Sequence, residues 1–102
     1  MYRRTKALDI SPAVRKAVWE RDGGRCVLCL SPEAAPNAHY IARSHGGLGI
    51  EQNLVTLCSA CHHRYDNTPD RPYIREELKA YLMSRYEDWD QQNLIYKKGK
   101  SI

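Results

Sequence analysis

The stretch that decides the fold of this chain is Cys26–His62, CVLCLSPEAAPNAHYIARSHGGLGIEQNLVTLCSACH, which opens and closes with a pair of cysteines. Cys26 and Cys29 form one CxxC pair, Cys58 and Cys61 form the other, and 28 residues separate the two pairs. Two such pairs are the usual ligand set of a structural zinc ion in tetrahedral coordination. We therefore predict one Zn²⁺ held by four thiolates, which closes the loop between the pairs.

Disulfide bonds are the competing interpretation of four cysteines. No apolar segment typical of a secretory signal follows Met1, and no apolar run is long enough to cross a bilayer. We therefore expect a cytoplasmic protein with no membrane partner. In the reducing cytosol, paired cysteines favour metal binding over disulfide formation.

Length and charge indicate one small basic domain. The 102 residues suffice for a single domain over 1–102 and not for two. The chain has 16 Lys and Arg against 12 Asp and Glu, and its net charge of +4 suits a polyanionic partner. Cations concentrate towards the ends of the chain, at Arg3, Arg4, Lys6, Arg15, Lys16, Arg21, Arg25, Lys97, Lys98 and Lys100. For the last few residues, charge that only keeps the terminus solvated is an equal alternative.

Local patterns predict helices on both sides of the cysteine-bounded stretch. Ser11-Pro12 is typical of a helix N-terminus and Asp22-Gly23-Gly24 of a helix end, so we predict a helix over 12–22. After a break over 68–72, the spacing of apolar residues predicts another helix over 73–86.

Between the cysteine pairs the pattern is weaker. In chain order we predict a turn-rich loop over 31–37, a short strand over 38–42, a flexible glycine turn over 46–49, a second strand over 53–57 and a helix from Cys61 to about Asp66. We also expect residues 89–96 to fold back onto the core. The helical spacing of Trp19, Tyr81 and Trp89 favours core positions for them over base stacking.

The same stretch carries a resemblance to a known family. Residues 38–47 (AHYIARSHGG), then Asn53-Leu54, then residues 57–62 (LCSACH) resemble an HNH endonuclease in residue order and spacing. The chain is similar in particular to the small phage and bacterial type that carries a four-cysteine zinc. The resemblance covers about 14–66. It implies an α+β fold, a ββα-metal (His-Me finger) core braced by zinc, to which we add a C-terminal helical extension over about 72–96.

The resemblance implies roles for three residues. His39 corresponds to the general base, Asn53 to the middle asparagine, and His62 to a ligand of a catalytic divalent cation such as Mg²⁺, Mn²⁺ or Ni²⁺. Phosphodiester hydrolysis needs a base with a pKa near neutrality and a cation that offsets charge on the phosphorane. An amide such as Asn53 can hold the imidazole or its loop in place, although asparagine also caps turns readily.

One position departs from the family pattern. Most members have aspartate or a second histidine just before the base as a metal ligand, and this chain has Ala38. We predict that Asp66 replaces it, because His62 and Asp66 stand four residues apart on one helix face. A backbone carbonyl, waters or the phosphate itself can complete the coordination shell. Arg43 and His45 are our candidates for contacts with the substrate phosphate, Arg43 by a bidentate contact.

These features predict a metal-dependent DNA endonuclease of low sequence specificity, which either nicks or cuts both strands. Ala38 also suggests an alternative, a zinc-braced DNA-binding module that is catalytically weak or inactive. A third hypothesis is an adaptor whose zinc site only presents the helix over 73–86 to another protein. Family context further suggests a bacterial or phage origin and phage packaging (terminase) proteins as partners, although no residue indicates this.

Overall fold

The computed structural model describes residues 6–97, and this part of the chain contains three α-helices and two β-strands. In chain order these are α1 (Pro12–Arg21), β1 (Ala34–His39), β2 (Leu54–Cys58), α2 (Ser59–Asn67) and α3 (Arg71–Arg85). Short 3-10 turns lie at Lys6–Leu8, Arg43–His45, Glu51–Asn53 and Gln91–Leu94. The predicted α+β class is confirmed. Four of the basic residues near the ends, Arg3, Arg4, Lys98 and Lys100, lie outside the described residues.

The ββα unit forms because β2 runs directly into α2. β1 and β2 pair antiparallel, with Ala38 opposite Val55 and His39 opposite Leu54. Cys58 ends β2 and also caps α2, because its sulfur accepts the backbone N–H of Cys61 at 3.4 Å. The arrangement is the ββα-metal architecture that the resemblance implied.

β1 lies earlier in the chain than predicted. It begins at Ala34, within the predicted loop, and ends at His39 rather than at residue 42. Pro36 favoured a loop prediction because proline has no N–H to give to a sheet. The strand tolerates it because the register shifts between Ala35 and Ala38, which places Pro36 and Asn37 in an irregular segment without ladder pairing.

All three predicted helices form, but most of their end residues differ from the predicted ones. The hydroxyl of Ser11 caps α1 by accepting the N–H of Val14 at 3.2 Å. Because proline is suited to the first turn of a helix, α3 already begins at Arg71 and includes Pro72. The predicted break over 68–72 is therefore shorter than expected. α2 begins at Ser59, two residues before the predicted start at Cys61.

The C-terminal segment folds back onto the core, as predicted. Leu94 is buried and its carbonyl accepts the N–H of Leu48 at 2.8 Å, while Ile95 pairs with Gly47. The Trp89 indole N–H donates to the carbonyl of Gln52 at 2.8 Å. Within residues 6–97, no helix combines the length and the apolar character that a membrane span requires.

The predicted flexible glycine turn is tightly packed. A Cβ at Gly47 would lie 1.7 Å from the carbonyl oxygen of Ile41, and one at Gly49 would lie 2.1 Å from that of Asp9. Glycine is therefore required at both positions for the backbones to approach. The N–H of Gly49 also donates to the carbonyl of Ala7 at 3.0 Å. These contacts hold residues 7–9 against the glycine turn, and the carbonyl oxygen of Leu8 lies 3.2 Å from Nε2 of His39 at the end of β1.

Candidate active site and metal centre

The four cysteines converge at one end of the two-stranded sheet. Their ligand sulfurs all lie within 4.8 Å of one another, and the Cys29 and Cys58 sulfurs are 3.6 Å apart. A disulfide would bring two sulfurs to about 2.05 Å, so the cysteines are free thiols in this structure. A tetrahedral zinc ion with Zn–S bonds of about 2.3 Å needs sulfurs separated by about 3.8 Å. The cluster therefore has the donor type and spacing to hold zinc.

The backbone around the cluster supports thiolates. The N–H of Cys29 donates to the sulfur of Cys26 at 3.5 Å, and that of Cys61 donates to the sulfur of Cys58. Burial opposes ionisation of Cys26, but backbone hydrogen bonds to its sulfur outweigh burial and lower its pKa to about 7. Burial and the neighbouring thiols raise the pKa of Cys61. A divalent cation would offset the charges that these close thiolates place on one another.

A separate cleft of about 860 Å³ lies between the N-terminal segment, the end of β1 and α2. Five residues predicted from the sequence line it: His39, Arg43, His45, His62 and Asp66. The fold thus brings together side chains that lie up to 27 positions apart in the sequence. The cleft also contains Asp9, Arg15, Asn37 and Arg71.

His39 ends β1 and points into this cleft. Its Nε2 lies 3.2 Å from the carbonyl oxygen of Leu8. Because a carbonyl only accepts, this contact places the imidazole proton on Nε2 and leaves the lone pair on Nδ1. Burial lowers the pKa of His39, and the positive charge of Arg43 acts in the same direction. The hydrogen bond to Leu8 opposes this shift without reversing it.

His62 and Asp66 lie on the face of α2 that borders the cleft. Nε2 of His62 is 3.0 Å from Oδ2 of Asp66. In octahedral coordination, two neighbouring ligand atoms that each lie about 2.1 Å from the cation are separated by about 3 Å, which is close to this distance. Nη1 of Arg71 lies 3.5 Å from Oδ1 of Asp66 and donates to the carbonyl of Tyr65 at 2.9 Å. The pair has the donor types and spacing of two ligands of one divalent cation, held in place by Arg71.

Arg43 shares an acceptor with His39. Its Nη1 donates to the carbonyl of Leu8 at 2.8 Å and is 2.8 Å from Oδ1 of Asp9. Its side chain is 43% exposed, so the remaining donors face solvent. The carbonyl of Leu8 therefore orients both a potential base and a cation that faces the cleft.

Two comparisons with known proteins bear on the family of this chain. A family model described as HNH endonuclease matches residues 26–68. A relative named Anaredoxin, from Nostoc sp. (strain PCC 7120), is 35% identical over 52 residues, which cover 50% of this chain and 68% of the relative. The chain belongs to the HNH endonuclease family. Membership implies a nuclease or DNA-binding function in general.

Asn53, the middle residue of the HNH pattern, lies outside the residues that line the cleft. It is fully buried, and its side-chain oxygen accepts the N–H of Ile41 at 2.8 Å. Its amide nitrogen donates to the carbonyls of Ile41 at 3.2 Å and Leu48 at 2.9 Å. The side chain thus ties together both ends of the loop that carries Arg43 and His45.

The structure also shows the surroundings of Ala38, the position at which the sequence departs from the HNH pattern. Ala38 is buried against the core and offers no ligand atom. Asn37 lies in the irregular part of β1, is exposed, and lines the cleft with His62 and Asp66. Its side-chain oxygen is a ligand type that Mg²⁺ and Mn²⁺ accept. Asn37 was not predicted from the sequence, because the register shift that turns it towards the cleft depends on pairing with β2.

Sequence reasoning missed three further cleft residues. Asp9 and Arg15 come from the N-terminal segment and α1, and Arg71 comes from the start of α3. All three lie outside the HNH pattern, so no motif pointed to them. The clustering of Arg15 with other cations in the first quarter of the chain was the one available signal.

Proposed function

We propose that this protein is a metal-dependent DNA endonuclease in which His39 is the general base and His62 and Asp66 hold a divalent cation. One observation carries the proposal: β1 and α2 present these three side chains to the same cleft, and the carbonyl of Leu8 orients the imidazole. The cleft offers three arginines, Arg15, Arg43 and Arg71, against two aspartates, which suits a phosphate backbone.

His39 accepts the proton of the attacking water at Nδ1. Because burial lowers its pKa below the usual value of 6.5, the imidazole is neutral at pH 7 and ready to act as a base. The contact with Leu8 keeps Nε2 protonated and stabilises the imidazolium after transfer. The activated oxygen then attacks phosphorus opposite the leaving 3′ oxygen, and cleavage leaves 5′-phosphate and 3′-hydroxyl ends, as in the family.

His62 and Asp66 would hold the cation, and Asn37 is the neighbouring side chain that can add an oxygen ligand. When bound, the cation would offset the charge that develops on the phosphoryl group and on the leaving oxygen. Arg43 and His45 contact the substrate phosphates through donors that face the cleft. Asn53 acts on this site through the loop it holds.

The four cysteines hold a structural Zn²⁺ that is separate from the reaction. Their spacing and the N–H···S contacts support this assignment. Zinc there joins the segment after α1 to the junction of β2 and α2. The end of β1 and the start of α2, which carry His39 and His62, are thereby held against each other.

Cleavage of supercoiled plasmid with Mg²⁺, Mn²⁺ or Ni²⁺ tests the proposal. We expect His39→Ala to lower the rate by about 10²-fold or more, because a positioned base contributes that much. Met83→Ala is the control, since Met83 is 52% exposed on α3 and does not line the cleft. Its rate should stay within about twofold of the original protein, since exposed substitutions away from the site change little.

Equal cleavage by His39→Ala, or an intact plasmid with all three metals, would refute the endonuclease proposal. The buried Ala38 favours the alternative of an inactive DNA-binding module. That module would shift DNA in a gel with a steep salt dependence and leave it uncut. An adaptor function would show neither effect. The predicted terminase partner and the cytoplasmic location stay predictions.

A further inference from the structure

We propose that a groove beside the cleft binds unpaired bases of a DNA strand next to the scissile phosphate, so that the preferred substrate contains single-stranded DNA. The inference rests on the proposed nuclease function and adds a substrate class to it. The groove, called here the Trp19 groove, has a volume of about 500 Å³. It is lined by Ile10, Pro12, Arg15, Lys16, Trp19 and Pro36.

Trp19 is the aromatic residue that lines the groove. The sequence pattern predicted a core position, but the residue is 37% exposed on α1. The six-membered ring lies against the backbone of Gly24, where an added Cβ would come within 3.1 Å of it. The indole is therefore held in place while part of its surface stays open to the groove. Pro12 and Pro36 extend this apolar surface.

The groove adjoins the cleft that holds His39. Ile10 and Arg15 line both cavities, so no other element separates them. The guanidinium of Arg15 makes no hydrogen bond or ion pair with another residue of the described range 6–97. The guanidinium of Arg15 at this junction is therefore placed to bind the phosphate that links a nucleotide in the cleft to one in the groove.

Lys16 supplies the second cation of the groove. Its Nζ is 3.0 Å from a carboxylate oxygen of Glu20, with both side chains largely exposed at 75% and 62%. Such a surface pair contributes little and is readily exchanged for another anion. A phosphate can therefore replace Glu20 as the partner of Lys16 at little energetic cost.

The exposed ring of Trp19 and the cations Arg15 and Lys16 favour unpaired bases over other possible ligands of the groove. An exposed aromatic ring beside cations is an arrangement that binds single-stranded nucleic acid, because bases stack on the ring while phosphates contact the cations. In a duplex the base faces are already stacked and cannot reach Trp19. An apolar peptide would leave Arg15 without an anion.

Fluorescence anisotropy with the full chain tests the groove. The probes are a labelled dT oligonucleotide of about 12 nucleotides and a blunt duplex of equal length, without added divalent cation to prevent cleavage. We expect Trp19→Ala to weaken binding of the single strand about tenfold and of the duplex less than about twofold, as loss of one stacked base predicts. Trp19→Phe should keep most of the affinity. Tyr73→Ala is the control, since Tyr73 is 75% exposed on α3 and does not line the groove.

Arg15→Gln keeps the proposal testable if Trp19→Ala folds poorly. It should weaken single-strand binding and make the slope of log affinity against log salt smaller by about one. A cleavage assay then compares a duplex carrying a single-stranded tail with a blunt one. Wild type should prefer the tailed substrate, and Trp19→Ala should lose that preference.

Equal single-strand affinity of Trp19→Ala and wild type would overturn the proposal. So would a sedimentation change from dimer to monomer on this substitution, which would identify the groove as a contact between two copies. Plasmid cleavage by the wild type, with single-strand affinity and tail preference both unchanged in Trp19→Ala, would refute the groove alone. Single-strand binding that depends on Trp19, without cleavage of any DNA, would refute the endonuclease proposal while the binding site stands.

Discussion

Opposing effects act on the pKa of the His39 imidazole. Burial and the charge of Arg43 disfavour the protonated ring, while the carbonyl of Leu8 and the carboxylate of Asp66 favour it. Burial is the largest of these, so the pKa of His39 lies below 6.5. A base needs its lone pair free, and this balance keeps it free at neutral pH.

The depressed pKa of His39 predicts how activity changes with pH. At saturating metal, the cleavage rate should be level above about pH 6.5 and fall as pH drops through the lower pKa of the folded protein. Because the unfolded chain binds the proton more readily, the free energy of unfolding should also decline as pH falls below about 6.5. Rates over pH 5–8 and denaturant unfolding at the same pH values measure the two effects.

Circular dichroism at each pH confirms that the protein is folded where activity is lost. A cleavage rate that begins to fall well above pH 6.5 would contradict a depressed pKa for the base. The residual rate of His39→Ala serves as the control, because it should not share this pH profile.

At the scale of elements, the loop over 40–49 depends on one buried side chain. Asn53 accepts from Ile41 and donates to Ile41 and Leu48, and its own carbonyl accepts the N–H of Tyr40 at 2.8 Å. Asn53 is fully buried and is not among the residues that line the cleft. We infer that Asn53 positions Arg43 and does not itself touch substrate.

Asn53→Ala should therefore affect both stability and catalysis. The substitution removes three side-chain hydrogen bonds, so the N–H of Ile41 and the carbonyls of Ile41 and Leu48 lose a partner. This loss should lower the free energy of unfolding by about 2–4 kcal/mol. Val18→Ala is the matched control, because Val18 is fully buried in α1 and the substitution removes core contacts away from the loop. Both are measured by denaturant unfolding.

At a temperature where both variants are folded, the cleavage rate should fall at least tenfold more in Asn53→Ala than in Val18→Ala (a difference of about 1.4 kcal/mol in activation free energy). Equal rates for the two variants would show that Asn53 stabilises the fold without positioning the site.

The sequence predicted some elements better than others, for physical reasons. α1 and β2 have local signals, since the Ser11 cap and an apolar run determine them within a few residues. The start of β1 has no local signal, because Pro36 is accommodated only through pairing with β2. In the cleft, the residues within the HNH pattern were predicted, whereas Asp9 and Leu8 arrive through backbone contacts with Gly49 that no motif encodes.

At the scale of the whole molecule, the cleft is built on a small sheet. This sheet has two strands, which are marginally stable alone. Arg21 provides one cross-link, since its guanidinium donates to the carbonyls of Glu51 at 2.8 Å and Leu54 at 2.7 Å. The cysteine cluster provides the other, because it joins residues 26–29 to the end of β2 and the start of α2.

We therefore predict that removal of zinc unfolds the protein. Structural zinc contributes about 10–16 kcal/mol in zinc-finger peptides, which matches or exceeds the total stability of about 5–15 kcal/mol of a typical domain. Chelation, or Cys58→Ser, should abolish the cooperative thermal transition seen by circular dichroism, and added Zn²⁺ should restore it only in the chelated wild type. Elemental analysis should find one zinc per chain.

Ser59→Ala is the control for this prediction, because Ser59 is exposed between the two cysteines of the second pair and contributes no ligand. It should retain zinc and unfold near the wild-type temperature. A metal-free protein with an unchanged transition would contradict the bracing role, as would purified protein in which the cysteines are oxidised to disulfides. With either result, Arg21 and the apolar core would be sufficient to hold His39 near His62. Loss of zinc should in that case leave plasmid cleavage unchanged.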